Sequence, residues 1–200
     1  MITIRRAEIK DVAYIAEGIF NAFLLEDNAI VLENRIGDGS IPLREKWMEI
    51  LTGVCAQADT HYSYTNTFIA ELDGEIAGMM IAVDGKNYRF QREKMYPQLK
   101  GLFDVAFGKG WEDMEDEAKA GEYYIDSFSV SPMYRHRGVG TELIKYAKQQ
   151  AKAIGIKRVT LAVEPMNSAK ILYQRLGFEY EREITIFNEE YHLYVAEIVV

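Results

Sequence analysis

Between a strand-like run and a helix-like run the chain reads Arg135-His136-Arg137-Gly138-Val139-Gly140-Thr141. Such a segment has what a polyphosphate needs. Glycines let backbone N–H groups approach an anion without a Cβ in the way, a helix N-terminus adds partial positive charge, and the arginines add full charges. Taken alone, the two glycines would also suit a tight turn in front of a solvated lysine face. The distribution of charge favours an anion. Residues 135–158 hold seven Lys/Arg and one acid, Glu142, a net of +6, so the rest of a chain of formal charge −8 carries −14. Local potential, more than net charge, draws a polyanion. Two familiar phosphate patterns fail. A P-loop needs Gly-Lys-Ser/Thr where the chain has Gly140-Thr141-Glu142, and a dinucleotide fingerprint needs a glycine where it has Leu143.

Other residue types narrow the chemistry further. Cys55 is the single cysteine, so no intrachain disulfide can form. With His61, His136 and His192 it makes no group at zinc-ligand spacing, and no metal is expected. Nothing in the sequence brings His61 or His192 to Cys55, which argues against a cysteine acyl-enzyme.

The elements that must position the loop follow from hydrophobic periodicity. Residues 2–6 alternate as a strand, and Asp11 is placed to cap a helix carrying Ile15, Ile19, Ala22 and Phe23. Trp47, Ile50, Leu51 and Val54 make the apolar stripe of a second helix over 43–56. Runs at 67–72 and 76–83 flank Asp73-Gly74-Glu75 as a hairpin. Residues 84–121, punctuated by glycines, read as an insertion with a short acidic helix from Glu112, Trp111, Met114 and Ala118 inward and Gly121 at its end. A strand over 123–130 leads into the loop, a helix over 141–154 leaves it, and a strand at 158–163 precedes a short helix at 168–176. Two strands, 178–187 and 191–199, close the chain. The expectation is a single α/β domain over 1–200 with a mixed sheet.

At 200 residues and 48% apolar composition, the chain can bury a core without disulfides. Charges appear after four residues and no membrane-length apolar run follows, so a cytoplasmic protein without membrane partners is expected. The acidic balance argues against a general nucleic-acid binder.

Arg-x-x-Gly-x-Gly between strand and long helix resembles motif A of the GNAT superfamily of acyl-CoA-dependent N-acetyltransferases. The resemblance continues through Tyr124-Ile125-Asp126-Ser127-Phe128-Ser129-Val130-Ser131-Pro132, similar to that family's fourth strand, and Leu172-Tyr173-Gln174-Arg175-Leu176-Gly177-Phe178, similar to its closing signature. It runs continuously over about 123–187. It implies a mostly antiparallel central sheet flanked by helices, with 84–121 inserted between the third and fourth strands, and acetyl-CoA as cosubstrate.

By that resemblance the N–H groups of Arg135, His136, Arg137, Gly138, Val139, Gly140 and Thr141 would hold the diphosphate. The fourth strand would splay from the fifth so that the backbones of Phe128 and Val130 pair with the pantetheine arm, and one of those N–H groups would stabilise the oxyanion. Tyr173 would protonate the departing thiolate. Asn167 would cap the short helix or contact pantetheine; it stands six residues before Tyr173, one closer than the family's asparagine, and Met166 takes the usual place. Asp126 is the candidate general base or a partner for a substrate ammonium, with Glu122, Tyr124 and Glu75 behind it.

The reading is an N-acetyltransferase that transfers acetyl from acetyl-CoA to a primary amine of a small molecule or peptide by direct attack in a ternary complex. The acids of 112–122 with Asp126 would suit a cationic acceptor, or simply form solvated surface. Tyr88, Phe90, Tyr96, Phe103 and Phe107 would line its pocket or pack as a lid. The alternative is a non-catalytic acyl-CoA-binding or sensor domain. The oligomeric state is open, a homodimer included.

Overall fold

Asp73 and Gly74 both have positive φ, 54° and 90°, the backbone that a two-residue hairpin turn requires. They join β2 (Thr67–Leu72) to β3 (Glu75–Asp84). The computed structural model describes residues 1–23, 43–110 and 114–199. It adds β1 (Ile2–Arg6), β4 (Glu122–Val130), β5 (Arg158–Val163), β6 (Glu179–Ile186) and β7 (Glu189–Glu197) to one seven-stranded sheet of order β1-β2-β3-β4-β5-β7-β6. Only β4 and β5 pair parallel; every other neighbour is antiparallel. The mixed, mostly antiparallel sheet is the one expected.

Helices cover both faces. On one side, α1 (Val12–Phe23), α2 (Leu43–Cys55) and α3 (Gly85–Phe107) bury Ile15, Ile19, Trp47, Leu51, Leu99 and Phe103 against Ile69, Met79 and Ile81. On the other, α4 (Val139–Ala153) lays Leu143, Ile144 and Ala147 on Phe68, Met80 and Val159, and the short α5 (Lys170–Arg175) adds Tyr173. Each large side chain taken wholly out of water contributes about 1.5–3 kcal/mol, so this two-sided burial fixes the sheet that carries β4.

The connection from β3 to β4 departs most from expectation. Instead of glycine-separated fragments, residues 85–107 form a 23-residue helix that runs through Pro97 and Gly101. Asp84 starts it, its carboxylate accepting the N–H of Lys86 at 3.1 Å. Met95, Leu99, Leu102 and Phe103 recur on one face and are buried, which holds the helix despite the hydrogen bond that Pro97 forfeits. The acidic helix expected from Glu112 has no counterpart among the described residues: Trp111 and Glu112 lie outside them, and 114–120 are irregular. Ala118 is nevertheless buried and Met114 packs on the core.

Asp11 does not cap α1. Its carboxylate accepts the N–H of Glu8 and a two-pronged contact from Arg5 at 2.7 and 3.0 Å, closing the turn before the helix. The other boundaries shift by a few residues; α4 begins at Val139, two residues early, and α5 spans only six residues.

Candidate functional site

The ladder between β4 and β5 runs from Glu122 opposite Arg158 to Ile125 opposite Leu161 and stops there. Its cause lies on the other edge of β4. Met80 of β3 faces Phe128 while Ala82 faces Ile125, so Asp126 and Ser127 together oppose Ile81. An extra residue of this kind bends a strand and re-aims its side chains. Beyond the bulge, Asp126–Val130 diverges from β5 and leaves backbone groups without a ladder partner. The splay expected of the fourth strand is present. Between the separated strands lies a cavity of about 980 Å³, walled by Asp126–Val130, by Ala162–Glu164, by α5 and by the loop entering α4.

That loop begins with a 3-10 turn over Pro132–Tyr134. His136 and Gly138 then adopt left-handed backbone, φ 61° and 86°, and Gly138 caps α4. Left-handed residues in a turn point successive amides to one side. The first acceptor used from the helix side is the carbonyl of Gly138, which takes the N–H of Glu142 at 3.1 Å. From His136 to Thr141 the backbone N–H groups have no acceptor among the described residues, and all but those of Arg137 belong to residues that line the cavity. Gly140 is required by contact: a Cβ there would stand 2.8 Å from Phe128 Cζ. Among the side chains, Arg135 and His136 line the cavity, whereas the Arg137 guanidinium lies over the Tyr134 ring at 5.8 Å.

Phe128, Val130 and Thr141 also line the cavity. Tyr173 lies opposite β4, edge-on to Phe128 with ring centroids 6.5 Å apart, and burial pushes its phenol up to about 12. It is therefore protonated at any physiological pH. Asn167 lines the wall and its Oδ1 accepts the N–H of Ala169 at 2.9 Å, closing the turn that leads into α5; the N-cap of α5 itself is Ala169, which no side chain caps.

At the other end the wall is acidic. Asp126 is about four strand residues from Val130, roughly 13 Å at 3.3 Å per residue. Its Oδ2 accepts the hydroxyl of Ser127 at 2.7 Å, and its Oδ1 lies 3.1 Å from Nε2 of the buried His61, off the line of a straight hydrogen bond. Beside it is a carboxylate the sequence did not single out. Glu117 is buried, lines the cavity, and accepts the Tyr88 hydroxyl at 2.7 Å on Oε1 and the Tyr124 hydroxyl on Oε2. Burial first, and then the charge of Asp126, push its carboxyl up to about 7, against the pull of the two phenols. Gly85 makes this packing feasible. A Cβ on it would lie 2.1 Å from the carbonyl oxygen of Lys119, so the absence of a side chain lets residues 117–121 lie against the start of α3.

The remaining candidates fall away from the cavity or change role. Glu75 is exposed beside the hairpin turn, and Glu122 is buried in ion pairs with Arg158 and Lys119. Tyr124 reaches the cavity, but burial holds its phenol protonated, so it donates to Glu117 and is no base. Of the expected pocket aromatics, Tyr88 buttresses Glu117, Tyr96, Phe103 and Phe107 pack in the core, and Phe90 is exposed; none lines the cavity. Cys55 is fully buried with its thiol pushed up to about 12, which suits an inert packing residue. Away from the cavity, Glu183, Glu190 and His192 bring ligand atoms within 4.8 Å of one another on the exposed face of β6 and β7. No helix among the described residues is long and apolar enough to cross a membrane.

Comparison with known proteins agrees with this geometry. The model of the acetyltransferase (GNAT) family matches residues 39–178. The cysteine-rich protein 2-binding protein of Mus musculus is 35% identical over 88 residues, 44% of this chain and 10% of that protein. Spermine/spermidine N(1)-acetyltransferase of Bacillus subtilis is 31% identical over 80 residues, 39% of this chain and 52% of that one. The chain thus spans about half or less of the curated relatives it matches. A crystal structure of an acetyltransferase superposes over 98% of this chain and 100% of its own, with TM-score 0.70 and 26% identity. The family match over most of the chain, together with the splayed strand and its amide-rich loop, places this protein in the GNAT acetyltransferase family.

Proposed function

We propose that the protein transfers an acetyl group from acetyl-CoA to a primary amine of a small molecule or peptide, by direct attack within a ternary complex. One observation carries the reading. A single cavity connects unpaired amides at a helix N-terminus, an unpaired strand edge and an acidic wall, so one face suits a diphosphate, the next an extended amide chain and the last a cation.

The fit to acetyl-CoA rests on donors. Amides from His136 to Thr141 and the dipole of α4 match a doubly charged diphosphate. The open edge of β4 at Phe128 to Val130 offers N–H and C=O groups to a chain lying alongside as an added strand. Bound there, acetyl-CoA supplies an activated thioester. Tyr173 presents a phenol to the leaving sulfur. At about 12 that phenol is some 3.5 units weaker an acid than a free thiol, so complete early transfer would cost about 5 kcal/mol. Its contribution is a hydrogen bond that strengthens as thiolate charge develops, with the proton following at bond cleavage. Asp126 supplies a fixed counter-charge for an incoming ammonium.

The polyamine acceptors named for the Bacillus subtilis relative make spermidine the first amine to offer. The test is release of free thiol from acetyl-CoA in the presence of spermidine, other alkylamines and short peptides. Thiol release that requires an amine, with the acetylated amine found by mass spectrometry, supports the transferase. Stabilisation by CoA with no turnover across the whole panel would leave the non-catalytic acyl-CoA-binding reading instead.

A further inference from the structure

Among the described residues three carboxylates line the cavity, Asp126, Glu117 and Glu164, and only Asp126 was singled out from the sequence; its Oδ2 accepts the neighbouring Ser127 hydroxyl, while its Oδ1 lies 3.1 Å from His61 Nε2 without a hydrogen bond. Glu117 is held differently. Tyr88 from α3 and Tyr124 from β4 each donate to one of its oxygens, which fixes the carboxylate plane and leaves a second lone pair on each oxygen. We propose that Glu117 is the proton acceptor for the incoming ammonium, with Asp126 as the counter-charge that guides it; this rests on the transferase reading above.

The surroundings suit that division of labour. The ionisable groups facing Glu117 are Tyr88 and Tyr96 from α3, His61 and Tyr62 from the segment before β2, Tyr124 and Asp126 from β4, and Tyr191 from β7. Arg92 is turned elsewhere, over the Tyr88 and Tyr96 rings and onto Asp116 at 2.9 Å. The hydrogen bonds to Glu117 among the described residues come from phenols, which steady the charged carboxylate without neutralising it. Burial beside Asp126 makes it a stronger base than a solvated carboxylate.

The protons balance as follows. An ammonium gives one proton to Glu117 and becomes a neutral amine, whose lone pair forms the C–N bond at the thioester carbon. As the C–S bond breaks, the electron pair leaves on sulfur, which takes the Tyr173 proton. The second proton of the acylated nitrogen restores the phenol, and Glu117 releases its proton to solvent once the amide has left.

The test compares wild type with Glu117→Gln, using acetyl-CoA with spermidine, or the fastest alkylamine of the panel, and with hydroxylamine, a nucleophile already neutral near pH 8. Glu117→Gln should keep the rise in melting temperature on adding CoA, lose about 100-fold or more in kcat/KM with the alkylamine, and lose less than about threefold with hydroxylamine. A merely structural role would slow both nucleophiles alike. Tyr88→Phe removes one donor that favours the anion, so the acidic limb of the kcat/KM profile should move to higher pH; this variant decides the matter if Glu117→Gln does not fold. Equal losses with both nucleophiles, an undiminished alkylamine rate in folded Glu117→Gln, or an unmoved limb in Tyr88→Phe would overturn the assignment. Wild type that releases no thiol with any amine would sink the transferase reading instead, so the two failures are distinguishable.

Discussion

Gly140 and Phe128 are complementary: a Cβ at Gly140 would stand 2.8 Å from the tip of the Phe128 ring, and Leu172 is next at 3.4 Å. The first turn of α4 therefore packs directly on the splayed half of β4, and the amide cradle keeps a fixed distance from the cleft. Substitution forces the ring toward the cavity or the helix away from it. Gly140→Val is expected to weaken CoA binding by about tenfold or more and to cost about 1–3 kcal/mol of stability through overpacking. Calorimetric titration and chemical denaturation measure the two effects separately.

Tyr173 faces Phe128 edge-on from α5, and in the proposed mechanism its phenol supports the developing thiolate. Tyr173→Phe keeps the ring and its packing while deleting the donor. Turnover should drop about 10- to 100-fold with the Kd for CoA changed less than about twofold. An unchanged kcat removes Tyr173 from the chemistry.

Gly85 acts on the site from a distance. Gly85→Ala places a methyl group against the carbonyl of Lys119 and pushes residues 117–121 off α3, loosening the Tyr88 and Tyr124 contacts to Glu117. Alkylamine turnover should fall by about tenfold or more, while CoA binding, which the proposal assigns to the loop before α4, should persist. Equal loss of both would mean that the residue serves overall folding alone.

Glu117 also leaves a mark on stability. Its carboxyl titrates near 7 in the folded chain and near 4.5 in the unfolded one, so the folded state binds the extra proton between those values. Stability must then fall as pH rises through that window, by roughly 1–3 kcal/mol. In Glu117→Gln this slope should flatten, as read from urea denaturation at several pH values.

Arg5 and Asp11 give the opposite slope. The guanidinium holds the carboxyl of Asp11 below its usual range, so this contribution is present above the ordinary carboxylate pKa and is lost as pH falls through the lowered one. Arg5→Ala strands a buried carboxylate and should cost about 3 kcal/mol near neutral pH, and less in acid. A loss independent of pH would point to packing of the arginine stem.

Legibility in the sequence tracked the range of the interaction. The left-handed turn with open amides ahead of α4 could be read because such a loop calls for glycine at local positions, and the hairpin because Asp-Gly is a favoured pair for a tight turn. Gly85 and Gly101 hid α3 by resembling punctuation, although Met95, Leu99, Leu102 and Phe103 were spaced to reveal it. The bulge at Asp126 and Ser127 is a property of strand pairing and leaves no local mark. Glu117 was out of reach for a similar reason. In sequence it is one acid among many in 112–122, and only the approach of Lys119 to Gly85, across the β3–β4 connection, buries it beside Tyr88.

The proposed coenzyme site centres on the open amides from His136 to Thr141. Isothermal titration of coenzyme A into the folded protein should give saturable binding at one site per chain, greatly weakened in Gly140→Val. No heat and no protection of those amides from hydrogen exchange at saturating coenzyme A would contradict it.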